Sequence, residues 1–497
     1  MAVIVAVALV VAACGRSPSA GPSSTAAPST VPTTTAVATT TAPDPDGEPP
    51  VLLRRSQVTW ETYAFELSPF NTIVPGSYDG VTRTTHTFDT WILENEHLEV
   101  TLVPEYGGRI LSIVSKSTGH EQLYRNPLGV PYQIDTGVFY FNWLMVYGGI
   151  FPTFPEPEHG KTWFLPWDFE VLEESDDAVT VAMSFVDDKL YPFVPKQYRS
   201  RASGLEVTFT ITLRAGRAAL DTSVVIRNPT DDVVSFEYWT NATLAPGSDP
   251  ADPKVTRDAE IVAPVDSITI PAFWSEIAAV EQQAGADDVY RFDRLRRFEN
   301  WVDRGIAYAW PDMRGTTFWG VVDQGTGEGI FRIGDGSVTP GLKIWTWGHP
   351  QTDGLDPFAA PNEARPYIEL WAGLTREFFE RTEIGPGREI RIDAVYAPTV
   401  GLSAVTHATE DVLVDLRADD GAVHATVFGL MPGAEMSAVL TADGVVVAEE
   451  ELVVDAVAAG EIVSSTLAAA PGEIRLVLRD ASGGVVLDGR LDLESGS

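Results

Sequence analysis

One cysteine, Cys14, stands in a chain of 497 residues, so no intrachain disulfide can form and packing must hold the fold together. Positive charge is scarce as well. Lys and Arg number 34 against 70 Asp and Glu, a formal net charge of −36. A field of that sign repels nucleic acid and anionic lipid surfaces and favours solubility. The longest N-terminal apolar run falls short of the roughly 20 residues that cross a bilayer as a helix. Zinc-ligand spacings of His and Cys, a phosphate-binding Gly loop and a G-x-S-x-G elbow are all missing. No metal or cofactor is implied, and the acidic loop "GSDPADPK" lacks the full ligand spacing of a calcium site. What is present is 44% hydrophobic and 10% aromatic residues, with 13 tryptophans. That is enough to bury a large core, and flat indole faces suit either a core or a sugar ring.

The start of the chain reads as an export signal. "MAVIVAVALVVAAC" is a short apolar run ending in small residues, and Val11-Ala12-Ala13-Cys14 resembles the bacterial lipobox, whose cysteine is lipid-modified. No Lys or Arg precedes the run, as an n-region should have. Residues 1–14 are therefore expected to be a lipoprotein signal. Residues 15–50, rich in Ser, Thr, Pro and Ala, have nothing to bury and form an extended tether. The expected location is extracytoplasmic, with the membrane engaged only through lipid at Cys14.

Residues 51–400 carry short alternating runs separated by Gly, Pro, Asp and Asn, such as "GLEVTFTITLRAG" and "TTFWGVVDQGTGEGIFRIG". These predict strands and hairpins. Helix is expected only in two short pieces within 273–303. Strand–helix alternation is absent, which predicts an all-β sandwich rather than α/β. Residues 401–497 differ in texture: from 404 onward they lack Trp, Tyr and Lys and alternate around Asp-Gly and Gly-Gly turns. They predict a small immunoglobulin-like β-sandwich acting as a spacer or accessory module.

Chemistry concentrates in "ARPYIELWAGLT" and "GLKIWTWGH". A strand puts Tyr367, Glu369 and Trp371 on one face and Ile368, Leu370 and Ala372 on the other. Lys343, Trp345 and Trp347 likewise share a face. Two neighbouring strands would present all six together on one concave surface. Sugar C–H faces pack on indole, and sugar hydroxyls pair with carboxylate and ammonium. The competing reading is that the rings fill the sandwich and Glu369 pairs internally with Lys343 or an arginine.

Four segments in order, "PEYGGRILSIVSKSTGHEQLYRNP", "NWLMVYGGIFPTFP", "SFEYWTNATLAP" and "YIELWAGLTREFFERTEIGPGREIRIDAVYAP", together with "PGLKIWTWG", resemble the galactose mutarotase-like (aldose 1-epimerase) superfamily over about residues 87–398. They look closest to an uncharacterised bacterial subfamily, sometimes fused to helical repeats. The resemblance implies a β-supersandwich and a carbohydrate partner, with Glu369 as the general base on an anomeric hydroxyl. The family's acid partners are histidines, one before a Gly-Gly pair and one after Thr-Asn. Those places hold Tyr147 and Ala242 here, which puts plain mutarotation in doubt, since alanine transfers no proton and tyrosine is a weak acid. His159 is a substitute acid, and Glu156 and Glu158 could join Glu369 in a two-carboxylate arrangement. Arg109 and Arg125 are candidates to hold sugar hydroxyls or a uronate, or else strand-end ion pairs. His120 reads as structural, and Arg291, Arg294, Arg296 and Arg297 as a surface neutralised by interleaved acids. An enzyme acting at a sugar centre and a non-catalytic glycan-binding protein both remain open, as does a purely structural surface protein.

Overall fold

The computed structural model describes residues 51–64, 66, 77, 82–126, 148–156, 160, 162, 165–188, 190, 201–271, 288–301, 306–309, 316–347, 365–465, 467 and 469–493. Cys14, the tether, Tyr147, Glu158, His159 and the Trp347 side chain lie outside them. Of the 273–303 segment, the described part holds a strand, Val289–Arg291, one helical turn, Phe292–Leu295, and a 3-10 turn, Phe298–Asn300.

Period-two alternation builds the centre of the molecule. In Glu206–Arg214, Val207, Phe209, Ile211 and Leu213 are buried while the residues between them are half-buried or exposed. Such strands assemble into a 12-stranded and an 8-stranded antiparallel sheet. Their inner faces share one core, with Val100, Leu102, Ile110 and Ile113 from the first sheet and Val181, Ile211, Trp319 and Ile330 from the second. The molecule is all-β, with two large antiparallel sheets packed face to face, as the alternation in the sequence predicts.

Six strands of the large sheet position the site. In spatial order they are Arg109–Ser115, Gly149–Thr153, Trp239–Ser248, Tyr367–Gly373, Gly341–Trp347 and Ile306–Ala309. Ala242, Leu244, Leu342, Ile344, Ile368 and Leu370 point to the shared core. The alternate residues point to the sheet's other face, where Trp239, Tyr308, Trp371 and Phe378 form a separate aromatic cluster.

The C-terminal part is a sandwich of two 4-stranded sheets around its own core of Val414, Leu416, Val427, Leu440, Leu476 and Leu478. Two of its hairpins turn on Asp420-Gly421 and Asp443-Gly444, all four residues having positive φ, the geometry of a two-residue type I′ turn. This sandwich, expected as a spacer or accessory module, packs directly on the central sheets. Phe318, Phe331, Ile333 and Val395, on the outer face of the 8-stranded sheet, share a third core with Leu402, Leu413, Phe428 and Leu430. Backbone bonds from Ala218 to Leu430 (2.9 Å) and from Gly401 to Gly327 (2.8 Å) reinforce the junction. The 8-stranded sheet is thus covered on both faces.

Candidate functional site

Antiparallel register fixes which side chains stand together on the sheet's second face. One row across the strands holds Phe151, Asn241, Trp371, Lys343 and Tyr308. Ile110 pairs with Ile150, so Arg109 stands beside Phe151 at the end of that row, its guanidinium 4.1 Å from the ring centroid. The next row holds Gly149, Thr243, Glu369, Trp345 and Ile306. With strands about 4.8 Å apart, the first row runs roughly 20 Å from Arg109 to Lys343.

The open groove expected around Glu369 is not what the chain forms. Its carboxylate is 2% exposed, and its Oε2 accepts from Lys343 Nζ (3.3 Å) and Trp371 Nε1 (2.8 Å). Lys343 is buried too, its ammonium 4.1 Å from the Trp371 ring centroid and 5.3 Å from those of Trp345 and Phe378. Tyr367, Trp371 and Arg109 are likewise buried, and only Trp345 among the described aromatic candidates keeps partial exposure. Phe378 supplies part of the cover. Its ring stands edge-on to Trp239 (5.1 Å), Trp371 (5.5 Å) and Tyr308 (6.2 Å), so the chain following Tyr367–Gly373 folds back over the face.

A second Glu-x-Trp unit mirrors the first. In Glu237-Tyr238-Trp239 the indole N–H donates to Glu237 Oε1 (3.1 Å), as Trp371 does to Glu369. The Trp239 indole lies over Gly373 and Gly341, where an added Cβ would fall 2.5 Å and 2.9 Å from its carbons. Glycine at both places is what lets this large ring lie flat across two strands. Glu237 also accepts from the Phe379 N–H through both oxygens (3.1 and 3.0 Å), and Arg381 pairs with buried Glu156 (2.5 Å). Phe379 adopts a positive φ of 69° at this anchor, rare for a large side chain. Glu237, the anchor and Phe378 were all missed from the sequence, although "FEYW" repeats the spacing of "IELW".

Burial raises the Glu237 carboxyl to about 8, the Phe379 N–H being the largest opposing influence. The unfolded chain releases that proton near 4.3. The folded state thus holds a proton the unfolded state has lost, and this group's contribution to stability falls as pH rises from about 4.3 through about 8. The Glu237→Gln variant is expected to lose that slope. Urea midpoints of both proteins across pH 5–9 check it, and parallel profiles would contradict it.

The remaining candidates separate. Arg109 donates to the carbonyls of Tyr106 (3.2 Å) and Gly148, and Gly149 must lack a side chain because a Cβ there would fall 2.2 Å from the Ile110 carbonyl oxygen. Arg125 is not drawn to the face, since its guanidinium holds the Pro250 carbonyl (2.9 Å). Glu156 is buried and ion-paired with Arg381. His120 meets Glu328 at 2.5 Å and ties two hairpins together. Arg291 pairs with Asp293, and Arg296 and Arg297 with Glu260. The acids of "GSDPADPK" are engaged as well, Asp252 holding Lys254 and Arg365.

The position equated with the second family histidine needs correction. Ala242 points into the shared core, whereas Asn241 and Thr243 face Glu369's side of the sheet. Asn241 is 1% exposed, its Oδ1 accepts from Thr243 (2.9 Å), and its Nδ2 has no hydrogen-bond partner. A buried amide with unused donors costs free energy unless something accepts from it. It sits between Phe151 and Trp371 in the row that also holds Lys343.

The model of the domain of unknown function DUF5107 matches residues 69–387, which include all six strands that position the site. The chain belongs to the DUF5107 family. A solved TPR-domain containing protein from Parabacteroides distasonis ATCC 8503 is similar to this DUF5107 chain at 18% identity and a TM-score of 0.56, over 75% of this chain. The match spans 59% of that protein's length. A galactose mutarotase-like protein from Clostridium acetobutylicum aligns at 9% identity and a TM-score of 0.41, over 71% of this chain and 99% of its own. A galactose mutarotase related enzyme from Lactobacillus acidophilus aligns at 14% and 0.38, over 64% of this chain and 100% of its own.

Proposed function

We propose that the second face of the large sheet binds carbohydrate, with Asn241, Glu369, Lys343 and Trp371 as its floor, in a protein displayed outside the cytoplasm on lipid at Cys14. The observation that carries this reading is the Asn241 amide, a buried pair of donors without an acceptor, set between two aromatic rings. Sugars supply both things such a place lacks: acceptor oxygens for the amide and C–H faces for the rings. The carboxylate and ammonium beside it add an acceptor and a donor for further hydroxyls. The sequence resemblance to sugar epimerases points the same way.

The arrangement described is a closed one. Phe378 lies against Trp371 and Trp239, where a pyranose would stack, so ligand entry requires this ring to leave. Binding is favoured over turnover because Glu369 Oε2 is already held by two donors. A catalytic reading has one observation of its own: Lys343 Nζ, 3.3 Å from Glu369, offers a proton donor in place of the histidines.

Glycan-array screening followed by titration of each hit tests the proposal. Asn241→Leu is expected to weaken binding about tenfold or more, the value of a lost hydrogen bond with burial of its partner. Phe378→Ala is expected to tighten it by removing the competitor. Equal affinity in wild type and Asn241→Leu would remove the assigned floor. If hits are turned over, Glu369→Gln should abolish turnover and keep binding. Fatty-acid labelling, lost in Cys14→Ser, checks the anchor. Among the described residues no helix is long and apolar enough to cross a membrane.

A further inference from the structure

We propose that the core between the two sheets contains a separate site for one small monovalent inorganic anion such as chloride, formed by Arg332, Tyr396 and Thr317. All three stand on the inner face of the 8-stranded sheet. Arg332 is paired in register with Tyr396 on one side and Trp319 on the other, and Thr317 pairs with Gly334. The guanidinium lies over Gly334, since a Cβ there would fall 2.9–3.1 Å from its Nη1, Nη2 and Cζ. That places the Arg332 head group beside Thr317.

Arg332 is 2% exposed and forms no ion pair among the described residues. Its partners are uncharged. Nη2 donates to the Thr339 hydroxyl (3.2 Å), which passes its own proton to the Asp335 carbonyl (3.2 Å), and the cation lies 5.6 Å from the Trp319 ring centroid. The Tyr396 oxygen lies within reach of the guanidinium, but among the described residues neither Nη1 nor the Tyr396 and Thr317 O–H groups meet an acceptor at normal hydrogen-bond geometry. A guanidinium stays charged in a protein, and an uncompensated buried charge is costly.

Among the described residues no neighbour supplies the counter-charge. Burial pushes the Tyr396 phenol up to about 12, so it remains a neutral donor at physiological pH. The Asp335 carboxylate is turned to the Ser337 backbone and hydroxyl (2.8 and 2.6 Å). The Tyr238 hydroxyl, from the residue just before Trp239–Ser248, is taken by Thr240 (2.8 Å). An unpaired cation with one unused N–H, and two unused hydroxyls on the strands either side of it, match a single negative charge of small radius. A large carboxylate has no route into a sealed core.

Crystals of the full chain grown in bromide test this directly. An anomalous peak within hydrogen-bond distance of Arg332 Nη1 and the Tyr396 and Thr317 hydroxyls is expected, and ordered water alone there would overturn the proposal. In solution, the wild-type folded-to-unfolded ratio should rise about tenfold per tenfold chloride above the dissociation constant. Gluconate at equal ionic strength should not reproduce this rise. Arg332→Met should abolish the chloride response, and an undiminished response in that variant would count against the site. Should the variant fail to fold, the bromide crystal alone decides.

Discussion

Replacing Lys343 with Met is expected to cost about 3–5 kcal/mol of folding stability, the penalty for leaving one member of a buried ion pair uncompensated. Glu369 and Lys343 have side chains only 3% and 5% exposed, so solvent screens little of the loss. After the substitution the carboxylate keeps one donor among the described residues, the Trp371 N–H. Adding Glu369→Gln removes the orphaned charge, and the double variant should recover most of the deficit, since apolar or neutral replacement of a buried pair is often nearly neutral. Urea titrations of the two single variants and the double close the cycle. A Lys343→Met loss below about 1 kcal/mol, the worth of an exposed pair, would mean that water reaches this ammonium.

Ending the chain at Val400 should be more damaging still. The outer face of the 8-stranded sheet would then present Phe318, Phe331, Ile333 and Val395 to water. At about 1.5–3 kcal/mol for each large apolar side chain, four such residues amount to roughly 6–12 kcal/mol, comparable with the whole stability of an ordinary domain. The shortened chain is expected to aggregate or to lose its cooperative transition. A soluble, monomeric product melting at the full-length temperature would show that the C-terminal sandwich is dispensable for the fold.

Period-two alternation made the face itself legible. Lys343, Trp345, Tyr367, Glu369 and Trp371 were placed together by alternation, and register pairs them across two adjacent strands. The same rule applied to Trp239–Ser248 puts Trp239, Asn241 and Thr243 on that face. Equating Ala242 with a family histidine obscured it, because a loose motif match carries no phase. Whether the face is open was not legible. That depends on Phe378 and on the Arg381–Glu156 pair, which joins residues 225 positions apart, and local pattern is silent about such contacts. Arg332 was invisible for a related reason: one arginine in an alternating strand looks like a surface residue until a second sheet covers it.

A crystal structure of the full chain with the tightest-binding saccharide from the array tests the central claim most directly. A sugar oxygen within hydrogen-bond distance of Asn241 Nδ2, a ring stacked on Trp371 and Phe378 swung aside are expected. A saccharide bound elsewhere, with Phe378 still seated on Trp239 and Trp371, would contradict the account.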